Sequence, residues 1–280
     1  MKVTIASVVF SEVLEFFDDF ITSLQKQDCQ KFDVLLINDN VLMDILADKL
    51  RKYEVAFTNR IHIVDKSIHR LLPFELRIEL LFEALARRTD LLILLDCDDL
   101  AKDNRVSEIV KQFDDKYDFF YNDLILFDGT SAMPELPKIT NKVDYLLEQN
   151  YLGLSNCAIN MKHVKEEFIE SLREGMIKIF DWYLFSRMLL SGMTGKYIGN
   201  TETYYRIYAN NIAGIPRHSI REFEKEKEIK LEHYELLKKY DQRYGKLIEK
   251  YKNLDINKCR IGTNNSVYFW WGMLSEWRDK

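Results

Sequence analysis

Residues 91–99 read Leu91-Leu92-Ile93-Leu94-Leu95-Asp96-Cys97-Asp98-Asp99. Five aliphatic residues without a polar interruption predict a strand buried on both faces, the pattern of a central strand in a parallel sheet. Three carboxylates follow at once, at the carboxyl end where α/β sheets place their ligands. Two aspartates one residue apart at that point can converge on a hard cation such as Mg²⁺ or Mn²⁺, which takes carboxylate oxygens and shares its coordination with a diphosphate.

Working outward, short β-rich runs alternate with amphipathic helices, which predicts an α/β fold with a mixed sheet flanked by helices. Residues 3–10 (VTIASVVF) read as a buried strand, and residues 12–27 as a helix with Val13, Phe16, Phe17, Phe20, Ile21 and Leu24 on one stripe. Residues 33–38 (DVLLIN) form a second strand that turns at Asp39-Asn40, and residues 61–64 a weaker third. A helix over 74–88 starts at Pro73, a residue suited to the first turn. A loop with Gly129, Pro134 and Pro137 separates a first half (about 1–128) from a second (about 140–215), in which residues 181–190 predict a helix with Trp182, Phe185 and Leu189 on one side.

Composition removes several function classes. Of 280 residues, 47% are apolar and 30% charged, which excludes disorder for the bulk of the chain. The balance of 40 basic and 45 acidic residues leaves no overall positive field for nucleic acid. The chain has 10 glycines and the first is Gly129, so neither a P-loop nor a dinucleotide-binding turn can follow the first strand. The same gap argues against sugar-phosphate nucleotidyltransferases. Cys29, Cys97, Cys157 and Cys259 are widely spaced and read as unlinked thiols, and scattered histidines give no zinc-hydrolase pair. Without a secretory leader or an apolar run near the roughly 20 residues that span a bilayer, the expected location is the cytoplasm.

Residues 216–280 predict a charged helical extension. Leu237, Tyr240, Tyr244, Leu247, Tyr251 and Leu254 alternate spacings of three and four, as in one helix whose narrow seam either packs on the core or pairs copies in a homo-oligomer. Val267, Trp270, Trp271, Leu274 and Trp277 also stand at helical spacing, so the segment 264–280 either docks on the body or offers a surface to the inner face of a membrane or to a partner.

Taken in order from Val3 to Gly214, these pieces resemble the family 2 glycosyltransferases of the GT-A fold, as a domain over residues 1–215. Ile37-Asn38-Asp39-Asn40 is similar to the family's double-aspartate turn, with Asn38 departing and Asp39 at the position that contacts the base. Leu95 to Asp99 resembles its DxD element, which would put Asp96 near ribose and sugar and Asp98 on the metal, with Asp99 in reserve. Asp103 follows at the family's spacing and reads as a helix cap. Arg77 stands where the family carries an arginine facing the donor. Residues 152–157 look like the strand lining the acceptor, and Phe180-Asp181 like the Glu-Asp helix start, Asp181 being the base and Phe180 replacing Glu. Tyr205-Arg206-Ile207-Tyr208 with Asn210-Asn211 is similar to the segment closing the donor site, Tyr208 standing in place of a histidine.

The resemblance implies a metal-dependent, inverting transfer of a sugar from a nucleotide-sugar, UDP favoured, to a hydroxyl of a glycan or lipid-linked saccharide in polysaccharide biosynthesis. The residue types suit that chemistry independently. An attacking hydroxyl needs a carboxylate to take its proton, here Asp181, and a departing diphosphate needs a cation and a group such as Arg206. Each residue also has a plain reading: turn aspartates for Asp39, Asp96 and Asp98, an N-cap for Asp181, core packing for Trp182, and surface pairs for Arg77 and Arg206. Two other functions compete, an inactive GT-A scaffold that binds partners and a haloacid dehalogenase-type phosphatase. The phosphatase is disfavoured because its aspartates belong on the first strand.

Overall fold

The protein is described from a computed structural model over residues 1–57, 60–207, 219–259 and 268–274. In chain order the elements are β1 (Val3–Val9), α1 (Phe17–Gln25), β2 (Asp33–Asn38), α2 (Met43–Arg51), β3 (Ile61–Asp65), α3 (Pro73–Ala86), β4 (Leu91–Leu94), β5 (Leu100–Ala101), α4 (Arg105–Gln112), β6 (Phe119–Leu126), β7 (Ile139–Thr140), β8 (Cys157–Asn160), α5 (Glu166–Glu170), α6 (Phe180–Leu190), β9 (Gly195–Tyr205), α7 (Ile220–Leu237) and α8 (Gln242–Lys252).

The strands form one mixed sheet ordered β3-β2-β1-β4-β8-β6-β9-β5, with β7 beside β9. Strands β3, β2, β1 and β4 run parallel, and β8 joins β4 antiparallel. Every residue of β1 and β4 is buried, as strands covered on both faces must be, and each large aliphatic side chain there contributes about 2 kcal/mol on burial. From β1 the chain moves out to β2 and β3 and then returns to β4 on the other side. The carboxyl ends of β1 and β4 therefore flank a switch point, where a crevice opens for a ligand.

Four local readings need correction. The helix expected over 12–27 starts as a separate 3₁₀ turn, Ser11–Val13, because the Ser11 amide is tied to Asn40 Oδ1 at 2.7 Å in the neighbouring turn. The strand expected over 152–157 begins only at Cys157. Before it, Asn156 accepts from the Gly153 amide (2.8 Å) and donates to the Tyr151 and Asn122 carbonyls (3.1 and 3.0 Å), bonds that compete with a ladder. Asp103 does not cap α4, since the cap position is Asn104 and helix starts at Arg105. Asp181 lies inside α6 rather than at its cap, which is Ile179.

The carboxy-terminal region departs further. The single helix expected through Leu237–Leu254 is two, α7 and α8, broken where the Asp241 side chain accepts from the Arg243 amide (2.8 Å) and caps α8. Leu237, Tyr244 and Tyr251 are fully buried and belong to the same core as the sheet, so these seam positions pack within the chain, while Tyr240 stays exposed. Residues 268–274 are not helical. Phe269 takes the Gly272 amide at 3.0 Å, and Trp270 forms a β-bridge with Asn150. Val267 and Trp277 lie outside the described residues. Among the described residues no helix is long and apolar enough to cross a membrane, and none of the four cysteines is in a disulfide.

Candidate active site

The site grows from the turn after β4. The Asp99 amide donates to the Asp96 carbonyl at 3.1 Å, closing a turn in which successive side chains alternate in direction. Cys97 and Asp99 point inward, each 1% exposed, while Asp96 and Asp98 stay half-buried at the surface of the crevice. The buried Arg105 braces this turn from below by donating to the Leu94 carbonyl (3.1 Å) and to Asn122 Oδ1 (3.1 Å). Cys97 Sγ lies 3.1 Å from Ser7 Oγ, and burial pushes its thiol far above the ordinary range, which leaves it inert.

Asp96 is held on two sides. Its amide donates to Ser155 Oγ at 3.1 Å, and Arg77 Nη2 lies 3.6 Å from its Oδ1. Burial raises the Asp96 carboxyl above its usual value, with Arg77 opposing and the Asp98 charge adding to the rise. Burial likewise raises Asp99, whose Oδ1 accepts the Arg206 amide at 2.8 Å. Asp99 is thus committed to the β9 end of the sheet and lies beneath the crevice surface.

Asp39 follows β2, its amide donating to the Val9 carbonyl at 2.9 Å. Burial and the Glu12 charge raise its carboxyl and Arg77 lowers it. Asn38, the departure from the family's aspartate, is fully buried. Its amide group donates to Asp65 Oδ1 (2.9 Å) and the Val41 carbonyl (2.8 Å), which a carboxylate in its place could not do.

A cleft of about 160 Å³ lies beside these groups, with Arg77, Asp96, Ser155, Phe180, Asp181 and Trp270 among the residues lining it. Asp181 Oδ1 accepts the Trp182 amide at 2.6 Å. Burial, helped by the Asp96 charge, pushes the Asp181 carboxyl up to about 7, against the opposing pull of the Trp182 amide and Arg77. A carboxyl poised near neutrality suits a general base. Trp182 itself is core: its Nε1 donates to the Leu146 carbonyl (2.7 Å) and its ring stacks on His233 at 3.9 Å.

Arg206 sits apart from this cleft. Its guanidinium lies over Phe16 (4.4 Å) and Phe127 (4.5 Å), Nη2 donates to Asp19 Oδ2 (2.9 Å) and Nε to the Asp98 carbonyl (2.8 Å). It braces the Asp98 turn from outside. Tyr208, Asn210 and Asn211 lie outside the described residues. The structure therefore brings Arg77, Asp96 and Asp181 to one cleft, with Asp39 and Asp98 on the adjoining turns.

Gly153 and Ser155 fall in the run 152–157 that the resemblance put beside the acceptor, and they do line the cleft, from a loop instead of a strand; Trp270 was not singled out for the site from sequence. Only the small-residue run Gly153-Leu154-Ser155-Asn156 gave a local signal.

Residues 4–132 match the family model described as Glycosyl transferase family 2. Over those residues, a little under half of the chain, the protein is similar to the family 2 glycosyltransferases. The matched segment carries β1 through β6, and with them Asp39, Arg77, Asp96 and Asp98. The fold is that of GT-A glycosyltransferases. TarS from S. aureus is similar with a TM-score of 0.58 at 13% identity, covering 90% of this chain and 71% of that one, and another TarS structure contains UDP-GlcNAc. The mannosyltransferase PcManGT from Pyrobaculum calidifontis, in complex with GDP-Man and Mn²⁺, is similar at 0.53 with 12% identity over 90% of this chain and 68% of its own. GalNAc-T7, with UDP, GalNAc and Mn²⁺, is similar at 0.56 with 12% identity, covering 99% of this chain and 56% of its own. No curated protein sequence matches the chain.

Proposed function

We propose that the protein transfers a sugar from a nucleotide-sugar, UDP favoured, to a hydroxyl of a glycan or lipid-linked saccharide, with inversion at the transferred carbon. The observation that carries this reading is Asp181: a carboxyl raised to about 7 in the same cleft as Asp96 and Arg77, so that a base and a donor-side anchor face one space. In this reading the acceptor hydroxyl gives its proton to Asp181 as it attacks. Asp39 meets the base, Arg77 the diphosphate, and Asp96 the ribose and sugar. Arg206 acts by holding the Asp98 turn.

The residues present fit a shared divalent cation rather than a closed protein cage. Asp96 and Asp98 offer hard oxygen ligands whose mutual repulsion a cation relieves, whereas among the described residues no cluster of three His, Cys, Asp or Glu groups forms a metal site. Mn²⁺ or Mg²⁺ held by Asp98 and Asp96 would neutralise charge on the departing nucleoside diphosphate.

The test is thermal melting with UDP, GDP and dTDP, each with and without Mn²⁺ or Mg²⁺, on wild type and Asp98→Ala. A ligand at about 100 times its dissociation constant adds about 2.7 kcal/mol. A cation-dependent shift with one nucleotide, lost in Asp98→Ala, supports the reading. No shift with any of them overturns it.

A further inference from the structure

Part of the crevice wall comes from the far end of the chain. Within residues 268–274, Trp270 and Trp271 both line the cleft that contains Asp181. This strap is fastened at several points. The Asn150 amide donates to the Trp270 carbonyl at 2.8 Å, and Glu226 of α7 accepts the amides of Met273 (3.2 Å) and Leu274 (2.8 Å). Glu226 is itself 1% exposed and paired with the fully buried Lys230 at 3.3 Å, which also donates to the Glu148 carbonyl (2.6 Å) and the Tyr251 hydroxyl (2.8 Å). A buried ion pair is costly to build unless its remaining bonds are satisfied, and here those of Glu226 hold the strap while those of Lys230 tie the pair to Glu148 and Tyr251.

Two details show that the position of the indole is enforced. Gly153 lies directly against the Trp270 ring, so that a Cβ there would stand 2.6 Å from Cη2 and 2.7 Å from Cζ3. Trp271 adopts φ 60°, a left-handed conformation that bulky residues rarely take and that persists only where surrounding contacts dictate it. Tyr205, at the end of β9, stands beside Trp270 with ring centroids 5.8 Å apart.

We propose that Trp270 is the platform on which the acceptor saccharide lies, its ring covering the apolar C–H face of a pyranose next to Asp181. A flat aromatic group with a polar edge, in a concave site with a few polar neighbours, is the side chain that a sugar's mixed surface requires. The strap therefore selects the acceptor, while the amino-terminal strands hold the donor. The role in transfer rests on the function proposed above; the binding of a sugar ring does not.

The test uses the full chain labelled with fluorotryptophan and observed by fluorine NMR, its lines assigned with Trp270→Phe and Trp271→Phe. Methyl glycosides of glucose, galactose, mannose and N-acetylglucosamine are the probes. The Trp270 line moves saturably with at least one of them while that of the core residue Trp182 stays fixed. In Trp270→Leu, which keeps apolar bulk without a flat face, apparent affinity read from the Trp271 line falls tenfold or more. A Trp270 line unmoved by every glycoside, moving only with UDP, or moving together with Trp182 overturns the proposal, as does undiminished affinity in Trp270→Leu. Loss of the transferase reading alone looks different: nucleotides cause no melting shift while the glycosides still move Trp270.

Discussion

The amide of Asp96 donates to the Ser155 hydroxyl at 3.1 Å, joining the turn after β4 to a loop 59 positions away. The same hydroxyl lies 3.5 Å from Asp96 Oδ2, so one oxygen restrains both the turn and its carboxylate. In Ser155→Ala the amide loses its partner and the carboxylate loses a neighbouring dipole. The expected cost is about 1 kcal/mol in urea unfolding, with a smaller cation-dependent UDP melting shift than wild type.

The pH dependence of transfer should report Asp181. The group must be ionised to take a proton, and burial carries it up to about 7. kcat/KM is therefore expected to rise with pH to a midpoint near 7 and then level, and Asp181→Asn should lose about 10²- to 10⁴-fold in kcat. A flat profile between pH 5 and 8, with the mutant retaining activity, would remove Asp181 from the chemistry.

Stability should move the other way. Raising a carboxyl in the folded state means that the native protein holds a proton which the unfolded chain has already released, so its stability is fully present below the unfolded value of 3.8 and declines as pH rises toward 7. Asp181→Asn removes that liability. The variant is expected to melt above wild type at pH 8, by an amount equivalent to about 1–3 kcal/mol, and alongside it near pH 4. Melting curves at the two values decide it.

Much of this architecture was legible because hydrophobic period is a local property. The run Leu91–Leu95 announced a central strand, and Asp96 and Asp98 at its end announced the crevice. What escaped was whatever depended on a distant partner. The strand read over 152–157 became a loop through Asn156, whose bonds reach Tyr151 and Asn122. The helical spacing of Trp270, Trp271 and Leu274 was overridden by Glu226, some 47 positions earlier, which takes the Met273 amide. Trp182 and Trp270 looked alike as sequence; only tertiary packing sends one to the core and the other to the cleft.

Asn38→Asp restores the family's residue and should nonetheless harm this protein. Asn38 donates to both Asp65 and the Val41 carbonyl in a fully buried position, and the substitution removes both donors while bringing a second carboxylate against Asp65. A loss of about 2–3 kcal/mol is expected at pH 7. The new carboxyl is raised in the folded state, so part of the loss should return below pH 4, where its proton supplies a donor again. Urea unfolding at pH 4 and pH 7 tests both the size and the sign.

Arg206 offers the sharpest contrast between charge and shape. Its guanidinium spans Phe16 and Phe127 while Nε holds the Asp98 carbonyl at 2.8 Å and Nη2 reaches Asp19. A lysine keeps the charge but has neither the flat face nor a second donor in a fixed fork. If the arginine acted as a point charge on the diphosphate, Arg206→Lys would preserve most of the nucleotide affinity. Because it instead fixes the Asp98 turn, Arg206→Lys should behave much like Arg206→Ala: about 1–2 kcal/mol less stable, with the cation-dependent part of the UDP melting shift reduced in both. Isothermal titration with UDP, with and without Mn²⁺, separates the two, since a positioning role weakens binding mainly when the cation is present.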